Sequence, residues 1–329
     1  MSQHHNIPLI HASVCEPVIL AARTIGTPLE KILPSVRLTS RVLDEPFLLV
    51  PEIPVWNLVH TISTMEDEPL FGLKATIELA TYDIESVKYL TQGCFTLKAL
   101  LERFCAVAPS VCSSDHYVLE EKGEYAWLVQ KGLTLTADYK QVELFTVAGM
   151  LQMVQLVAGE DWRPAEIHFT VKHCHHINDS EHLNPGRIFF SKQYAAIAIP
   201  RGLLSLAVQT LDEIDDSVSL NSCSDTLENN LMNAITPYIG ETRISKQILS
   251  DISGISFRSL QRKLEQEGTS YSAVLDQSRF QKAKSLLENT DEKLLNISLM
   301  LGYENASTFS RAFKRWAGVT PKEFRKLHH

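Results

Sequence analysis

Several things missing from this sequence narrow its chemistry before any motif is considered. No uninterrupted apolar run reaches the roughly 20 residues that a membrane-spanning helix needs, and the opening Met1-Ser2-Gln3-His4-His5-Asn6 lacks the basic head and following apolar stretch of a secretion signal. A cytoplasmic protein with no membrane partner is the expectation. The six cysteines (Cys15, Cys94, Cys105, Cys112, Cys174, Cys223) are scattered without a Cys-x-x-Cys pair, so they read as reduced thiols and not as a disulfide frame. There is no phosphate-binding loop, no Gly-x-Ser-x-Gly elbow and no conspicuous nucleophile beside a base. Neither an enzyme nor a cofactor is expected.

Strong charge of one sign is also missing where a polyanion binder would carry it. The net charge of -8 conceals two unlike parts: from Thr226 onward 15 Lys and Arg stand against 11 Asp and Glu, a balance of +4, which leaves 16 against 28, or -12, in the rest. Only the C-terminal part suits DNA. A surplus of +4 is modest, so base contacts or dimerisation must add to plain electrostatic attraction.

What is present is concentrated near the end. In the stretch from Leu301 to Trp316, Phe309, Phe313 and Trp316 fall at i, i+4 and i+7 and share one helical stripe, while Ser307, Thr308, Arg311 and Arg315 line another face. Leu294 to Leu301 reads as a short apolar helix before it, and Gly302 supplies the break between the two. Two short helices around a glycine turn make a helix-turn-helix, whose second helix can enter a major groove. The unit occurs twice. Gly254 precedes Leu260, Leu264 and Gly268 much as Gly302 precedes Phe309, Phe313 and Gly318, and an arginine follows the first anchor by two residues in both copies, Arg262 and Arg311. Tyr271 to Leu287 has the helical spacing of a rod joining the two.

This arrangement resembles the paired DNA-binding domain of the AraC/XylS family of bacterial transcription regulators. The residues that carry the likeness are Ser259-Leu260-Gln261-Arg262, Ala283-Lys284-Ser285-Leu286-Leu287, Leu301-Gly302-Tyr303, and the run from Phe309 through Gly318-Val319-Thr320-Pro321 to Arg325. The resemblance implies that each second helix meets a major groove, the two about one helical turn, roughly 34 Å, apart. It implies base contacts from Arg258, Ser259, Gln261 and Arg262 in the first unit and from Ala306, Ser307, Thr308, Ser310 and Arg311 in the second. Lys263, Lys314 and Arg315 are expected on phosphates, where they position the protein without reading sequence. Leu260, Phe309, Phe313 and Trp316 are expected in the core. Short side chains at Ala306 and Ser307 leave the second unit fewer base contacts.

Upstream, helix and strand signals mix, which indicates an α+β domain followed by an all-α one. Ile10 to Ala22 and Asn57 to Met65 read as helical, and Thr27-Pro28 reads as a capped helix start. His116 to Glu121 and Tyr125 to Lys131 read as a hairpin with Ala126, Leu128 and Gln130 on one face. Val142 to Val157 reads as a buried helix with a narrow polar stripe of Glu143, Thr146, Gln152 and Gln155. Strands follow at Glu166 to Val171, Arg187 to Phe190 and Ala195 to Ile199. Phe71-Gly72-Leu73-Lys74-Ala75-Thr76 and Asp161-Trp162-Arg163-Pro164 resemble the effector domain, of the arabinose-binding kind, found in one branch of the same family. The expected division is an effector-sensing or dimerising domain at 1–208, a Ser- and Asp-rich linker at 209–225, and the DNA-binding domain at 226–329, with units near 245–267 and 294–316. Thr320-Pro321-Lys322-Glu323 fits a capping box that opens a last helix.

The resulting expectation is a DNA-binding regulator whose partners are promoter DNA, RNA polymerase and a small-molecule effector, with a homodimer as a further candidate. Met150, Gln152, Met153 and Gln155 could line the effector pocket, since methionine adapts to irregular shapes and glutamine orients polar ligands, although core packing also accounts for them. Two alternatives stay open. One is a metal-responsive regulator through the cluster from His168 to His182, with His173, Cys174, His175 and His176 as ligand types, although no metal is expected because the spacing matches no standard pattern. The other is a regulator without an effector whose first domain only associates. Some DNA-repair methyltransferases fuse a zinc-bound cysteine acceptor to the same paired motif, but they need a cysteine cluster near the N-terminus, where this chain has only Cys15.

Overall fold

The computed structural model describes residues 6–77, 91–132, 140–174, 176–180, 183, 187–208, 226–241 and 244–328. They belong to two compact units, one comprising Ile10–Phe47 and Pro54–Cys223, the other the residues up to Leu9, Leu48–Ile53 and Ser224–His329. The expected linker, 209–225, lies outside the described residues.

Elements up to residue 208 run β1 (Leu9–His11), α1 (Glu16–Thr24), α2 (Leu29–Ser35), β2 (Leu49–Pro51), α3 (Glu52–Met65), α4 (Phe71–Ile77), α5 (Leu97–Val111), β3 (Tyr117–Lys122), β4 (Tyr125–Gln130), α6 (Lys140–Ala158), β5 (Glu166–His168), β6 (Arg187–Phe189) and β7 (Ala195–Pro200). The last five strands form one sheet in the order β3-β4-β7-β5-β6, antiparallel except between β5 and β6. Alternation sets its inner face: Ala126, Leu128, Ile167, Ile197 and Ile199 are fully buried in a core shared with α5 and α6. The expected helical stretch Ile10 to Ala22 is in fact split, with β1, a 3-10 turn at Ala12–Cys15 and α1 beginning only at Glu16. Thr27 does not cap α2 either; Pro28 stands at the cap, and the Thr27 hydroxyl donates to Glu66 Oε1 at 2.9 Å.

Contrary to the sequence expectation, α6 is long and apolar enough to cross a membrane by length and composition, yet most of it is buried inside the unit. Its polar stripe is not a solvated face. Glu143 is fully buried and Thr146 nearly so. The Glu143 carboxylate accepts the backbone N–H of Thr170 at 2.5 Å and of Val171 at 3.1 Å. Gln141, also buried, takes the N–H of Gly72 on Oε1 at 2.9 Å and donates to Ser63 Oγ and Pro69 O at 2.7 and 2.9 Å. A Cβ on Gly72 would lie 2.2 Å from the Gln141 carbonyl oxygen, so α4 can approach α6 this closely only with glycine there. Phe71-Gly72-Leu73 is thus a packing signature.

From residue 226 the described elements are all helical: α7 (Leu227–Ile235), α8 (Lys246–Ser253), α9 (Phe257–Gln266), α10 (Tyr271–Asn289), α11 (Leu294–Met300), α12 (Ala306–Ala317) and α13 (Pro321–His328). The helix expected over Leu227 to Ile239 stops at Ile235 and tightens into a 3-10 turn at Thr236–Tyr238, where Pro237 can supply no N–H. α10 is the joining rod, 19 residues and so about 28 Å long. Val274 and Ser278 are buried in its first half, where α7 packs, and Ala283 and Leu287 in its second, within the core of the second unit. That core is largely aromatic: Phe313 meets Phe280, Phe309 and Phe324 at ring-centroid distances of 5.6, 5.8 and 5.4 Å.

Candidate nucleic-acid interface

Both expected helix-turn-helix pairs are present, α8–α9 and α11–α12, with Gly254 and Gly302 in the left-handed conformation (φ 67° and 76°) at the turns. The second helix of each pair starts by the same device. Ser256 caps α9, its Oγ accepting the N–H of Ser259 at 3.2 Å and donating to the Ser259 hydroxyl at 2.9 Å. Asn305 caps α12, its Oδ1 accepting the N–H of Thr308 at 2.9 Å and the Thr308 hydroxyl at 3.0 Å. Such caps satisfy first-turn N–H groups that have no partner inside the helix, which fixes where each helix begins. Buried leucines (Leu260, Leu264) and phenylalanines (Phe309, Phe313) hold the back of each helix against its unit.

The fronts of the two helices differ. On α9, Arg258, Gln261 and Arg262 are exposed on one stripe, with Ser259 and Lys263 half-buried beside it. On α12 the exposed stripe is Ser307, Arg311 and Lys314, with Ala306, Thr308 and Ser310 half-buried. The Ser310 hydroxyl donates back to Ala306 O at 2.7 Å, so Ser310, Thr308 and Ser259 all have hydroxyls engaged within their own helix ends. A base contact from any of them competes with that bond. Arg315, expected on phosphate, is tied to Asp276 on the rod at 2.6 Å. Two residues escaped sequence reasoning: Glu265, exposed on the stripe of Arg258 and Arg262, and Asp276, whose pairing spans the domain. Shifting the chain by 49 residues aligns Ser256 with Asn305 and Leu260 with Phe309, and that comparison reveals both caps and the place of Glu265.

The other expected site residues are more deeply engaged. Met150 and Met153 are packed in the N-terminal core. Gln152 donates to Thr76 O at 2.8 Å, and Gln155 to Glu160 O and Trp162 O at 2.9 and 3.1 Å, holding the Trp162-Arg163-Pro164 turn against α6. In the histidine cluster, His173 and His176 are exposed and Cys174 is buried, with burial pushing its thiol pKa up; His175 and His182 lie outside the described residues. His168 instead packs between Trp127 and Phe189 on the outer face of the sheet, at 4.7 and 5.5 Å between ring centroids. Among the described residues no three His, Cys, Asp or Glu side chains are grouped to hold a metal ion. A surface cleft of about 390 Å³, lined in part by Glu16, Leu20, Arg23, Val42, Asp44 and Glu45, had no signal in the sequence.

Known proteins match both parts of the chain. The family described as "Helix-turn-helix domain" matches residues 249–327, and that described as "Arabinose-binding domain of AraC transcription regulator, N-term" matches residues 26–208. Rv1395 of Mycobacterium tuberculosis, an uncharacterized HTH-type transcriptional regulator, is 48% identical over 67 residues, 20% of either chain. The Escherichia coli HTH-type transcriptional activator CsvR is 33% identical over 118 residues, 32% of this chain and 44% of that one. The chain therefore spans less than half the length of either relative. Among solved structures, the transcriptional regulator CdpR from Pseudomonas aeruginosa is 17% identical, covering 91% of this chain and 96% of its own at a TM-score of 0.39. Because the N-terminal match by itself takes in more than half of the 329 residues and a helix-turn-helix match follows it, the chain belongs to the AraC family of transcription regulators, which are DNA-binding regulators and not enzymes.

Proposed function

We propose that the chain regulates transcription by binding particular promoter sequences through α9 and α12, which meet successive major grooves from opposite ends of the α10 rod. The observation that carries this is the duplicated helix, capped by a side chain at the same position in both copies, with an exposed arginine six residues after each cap, Arg262 and Arg311. An arginine fork matches O6 and N7 of guanine together and is worth about 1–3 kcal/mol of discrimination. Arg258, Gln261 and Arg262 are assigned to bases in one groove with Ser259 beside them, and Ser307 and Arg311 to bases in the next with Ala306, Thr308 and Ser310 beside them. Lys263, Lys314 and Arg315 are assigned to phosphates.

The division into 1–208, 209–225 and 226–329 is part of the proposal. The family name of the N-terminal match supports a small-molecule effector there, acting through unequal affinity for two conformations. Met150, Gln152, Met153 and Gln155 are kept as its lining, which requires the contacts of the two glutamines to exchange when the ligand enters. RNA polymerase, a second copy of the chain and a cytoplasmic location complete the reading, supported by membership of a family of transcription regulators.

The DNA assignment is tested by titrating labelled promoter fragments from the host with wild type and Arg262→Ala. The ratio of specific to random affinity should fall at least about tenfold; an unchanged ratio would remove Arg262 from the base readers. For the effector, a metabolite library is screened by thermal shift, since a ligand at 100 times its Kd stabilises the native state by about 2.7 kcal/mol.

A further inference from the structure

We infer that the cleft bounded by α1 and the 3-10 turn at Ser40–Leu43 is a binding site for a small zwitterion, an ω-amino acid with its ammonium and carboxylate at opposite ends of a short methylene chain. The site is separate from the lining kept above for an effector and does not depend on that reading.

The cleft lies within the unit that contains Ile10–Phe47, and its volume of about 390 Å³ is in the range of small-molecule sites. One wall is a single stripe of α1: Glu16, Ile19, Leu20 and Arg23 follow the i, i+3, i+4, i+7 spacing that puts side chains on one helix face. The other wall runs from Val42 to Pro46. The Ser13 N–H donates to Pro46 O at 2.7 Å, which brings the end of this second wall to the N-terminal end of α1. The N–H groups of Asp44 and Glu45 both donate to Arg41 O, at 3.2 and 3.0 Å, and close the turn. Backbone hydrogen bonds thus build the walls without help from a ligand, which lowers the cost of binding one. α1 ends at Thr24, before the residues matched to the arabinose-binding domain begin, so that match does not cover the site.

The charges in the cleft are separated. Glu16, Asp44 and Glu45 share the end at Ser13 and Pro46, whereas Arg23 stands two turns along α1, about 10 Å away by helix rise. Glu45 is already neutralised, because Arg41 Nε and Nη2 meet its Oε1 and Oε2 at 2.7 and 2.6 Å. Among the described residues, neither the Asp44 carboxylate nor the Arg23 guanidinium has a hydrogen-bond or ion-pair partner. One end therefore calls for a cation and the other for an anion. Between them the lining is apolar: Ile19 and Val42 are buried, and Leu20 is 45% exposed, so an alkyl chain laid on it removes apolar surface from water.

These features select among ligands. An alkylamine leaves Arg23 facing an apolar chain end, and an alkyl carboxylate leaves Glu16 and Asp44 unmet. Taking about 3 Å for a hydrogen bond at each end from the 10 Å separation leaves roughly 5 Å between the ligand's own charges, the span of about three or four methylene groups.

The test is isothermal titration calorimetry of the full chain at low ionic strength with 5-aminopentanoate, pentylamine and pentanoate. The expected result is one saturable site per chain for 5-aminopentanoate with a Kd of about 1 mM or tighter. Pentylamine should bind at least about fivefold more weakly, by the loss of one charged contact, and pentanoate more weakly still. Arg23→Gln should weaken 5-aminopentanoate at least about fivefold and leave pentylamine unchanged, whereas Asp44→Asn should weaken both. Both side chains are exposed, so the variants should melt with wild type. Leu20→Trp fills the cleft without altering its charge and should abolish binding. An absence of saturable 5-aminopentanoate binding would overturn the proposal, and so would pentylamine or pentanoate binding as tightly as the zwitterion. Binding that survives both Leu20→Trp and Asp44→Asn would place the ligand elsewhere and overturn it too.

Discussion

Arg315 reaches from α12 back to the rod, its Nη2 2.6 Å from Oδ2 of Asp276. The pair ties α12 to α10, in addition to the aromatic contacts of Phe280 with Phe313 and Trp316 beneath. Both side chains are substantially exposed, 65% and 37%, so its value to stability is small, under about 1 kcal/mol. Asp276→Ala should therefore melt within a few degrees of wild type but bind random-sequence DNA more tightly, because a carboxylate is lost and a guanidinium freed. Fluorescence anisotropy across a salt series checks this: the salt slope should steepen by up to about one. Weaker binding at unchanged slope would mean that the pair acts by orienting α12.

Gly240 governs how the second unit closes. Its φ is 91°, and a Cβ there would lie 2.1 Å from the carbonyl oxygen of Met300, on the last residue of α11. Gly240→Ala has to strain the backbone and push α11 away. A loss of at least about 2 kcal/mol is expected in urea denaturation. A loss near 0.5 kcal/mol would show that the turn adapts.

Phe313 is fully buried at the centre of the aromatic cluster. Phe313→Ala should cost about 3–5 kcal/mol, and Phe313→Leu clearly less because most of the volume is kept. Thermal melts followed by tryptophan fluorescence suit the comparison, since Trp316 packs on Phe280 at 6.1 Å in the same cluster.

How much of this was legible in sequence depended on the range of the contact. The C-terminal helices follow from local signals: Phe309, Phe313 and Trp316 at helical spacing, glycine turns, and Thr320 and Glu323, which do form the capping box, with Thr320 N–H to Glu323 Oε2 at 2.8 Å and Glu323 N–H to Thr320 Oγ1 at 3.3 Å. Long-range partners are another matter. Glu143 and Thr146 have the polarity of a solvated stripe, yet Glu143 is buried because the N–H groups it serves belong to Thr170 and Val171. Gly72 reads as a motif letter until Gln141 is seen against it. In the candidate site, Arg262, Arg311 and Arg315 follow from helical spacing and the repeated unit, while Arg258, Lys263 and Lys314 follow from the family resemblance. The engaged hydroxyls of Ser259, Thr308 and Ser310 were not legible, since hydrogen-bond partners are a matter of rotamer and cap geometry.

Glu143 also gives the chain a pH dependence. Burial raises its pKa above the ordinary glutamate range, and the N–H groups of Thr170 and Val171 pull it back in part. With the folded pKa above the unfolded one, the native state holds the proton more tightly, so this group's contribution is full at acid pH and is lost as pH rises through the folded value. Glu143→Gln cannot titrate, but its amide NH2 meets one of the two backbone N–H groups and loses that bond. The variant should melt below wild type at acid pH, with the gap narrowing as pH rises toward neutrality. A gap that widens over that range would contradict the assignment.

The most direct test of the central claim is genome-wide DNA occupancy in the native host, comparing wild type with an Arg262→Ala, Arg311→Ala double variant. The expected result is a small set of sharp peaks beside promoters, lost in the variant while its amount and melting temperature are kept. Peaks that persist unchanged in the variant would contradict recognition through α9 and α12.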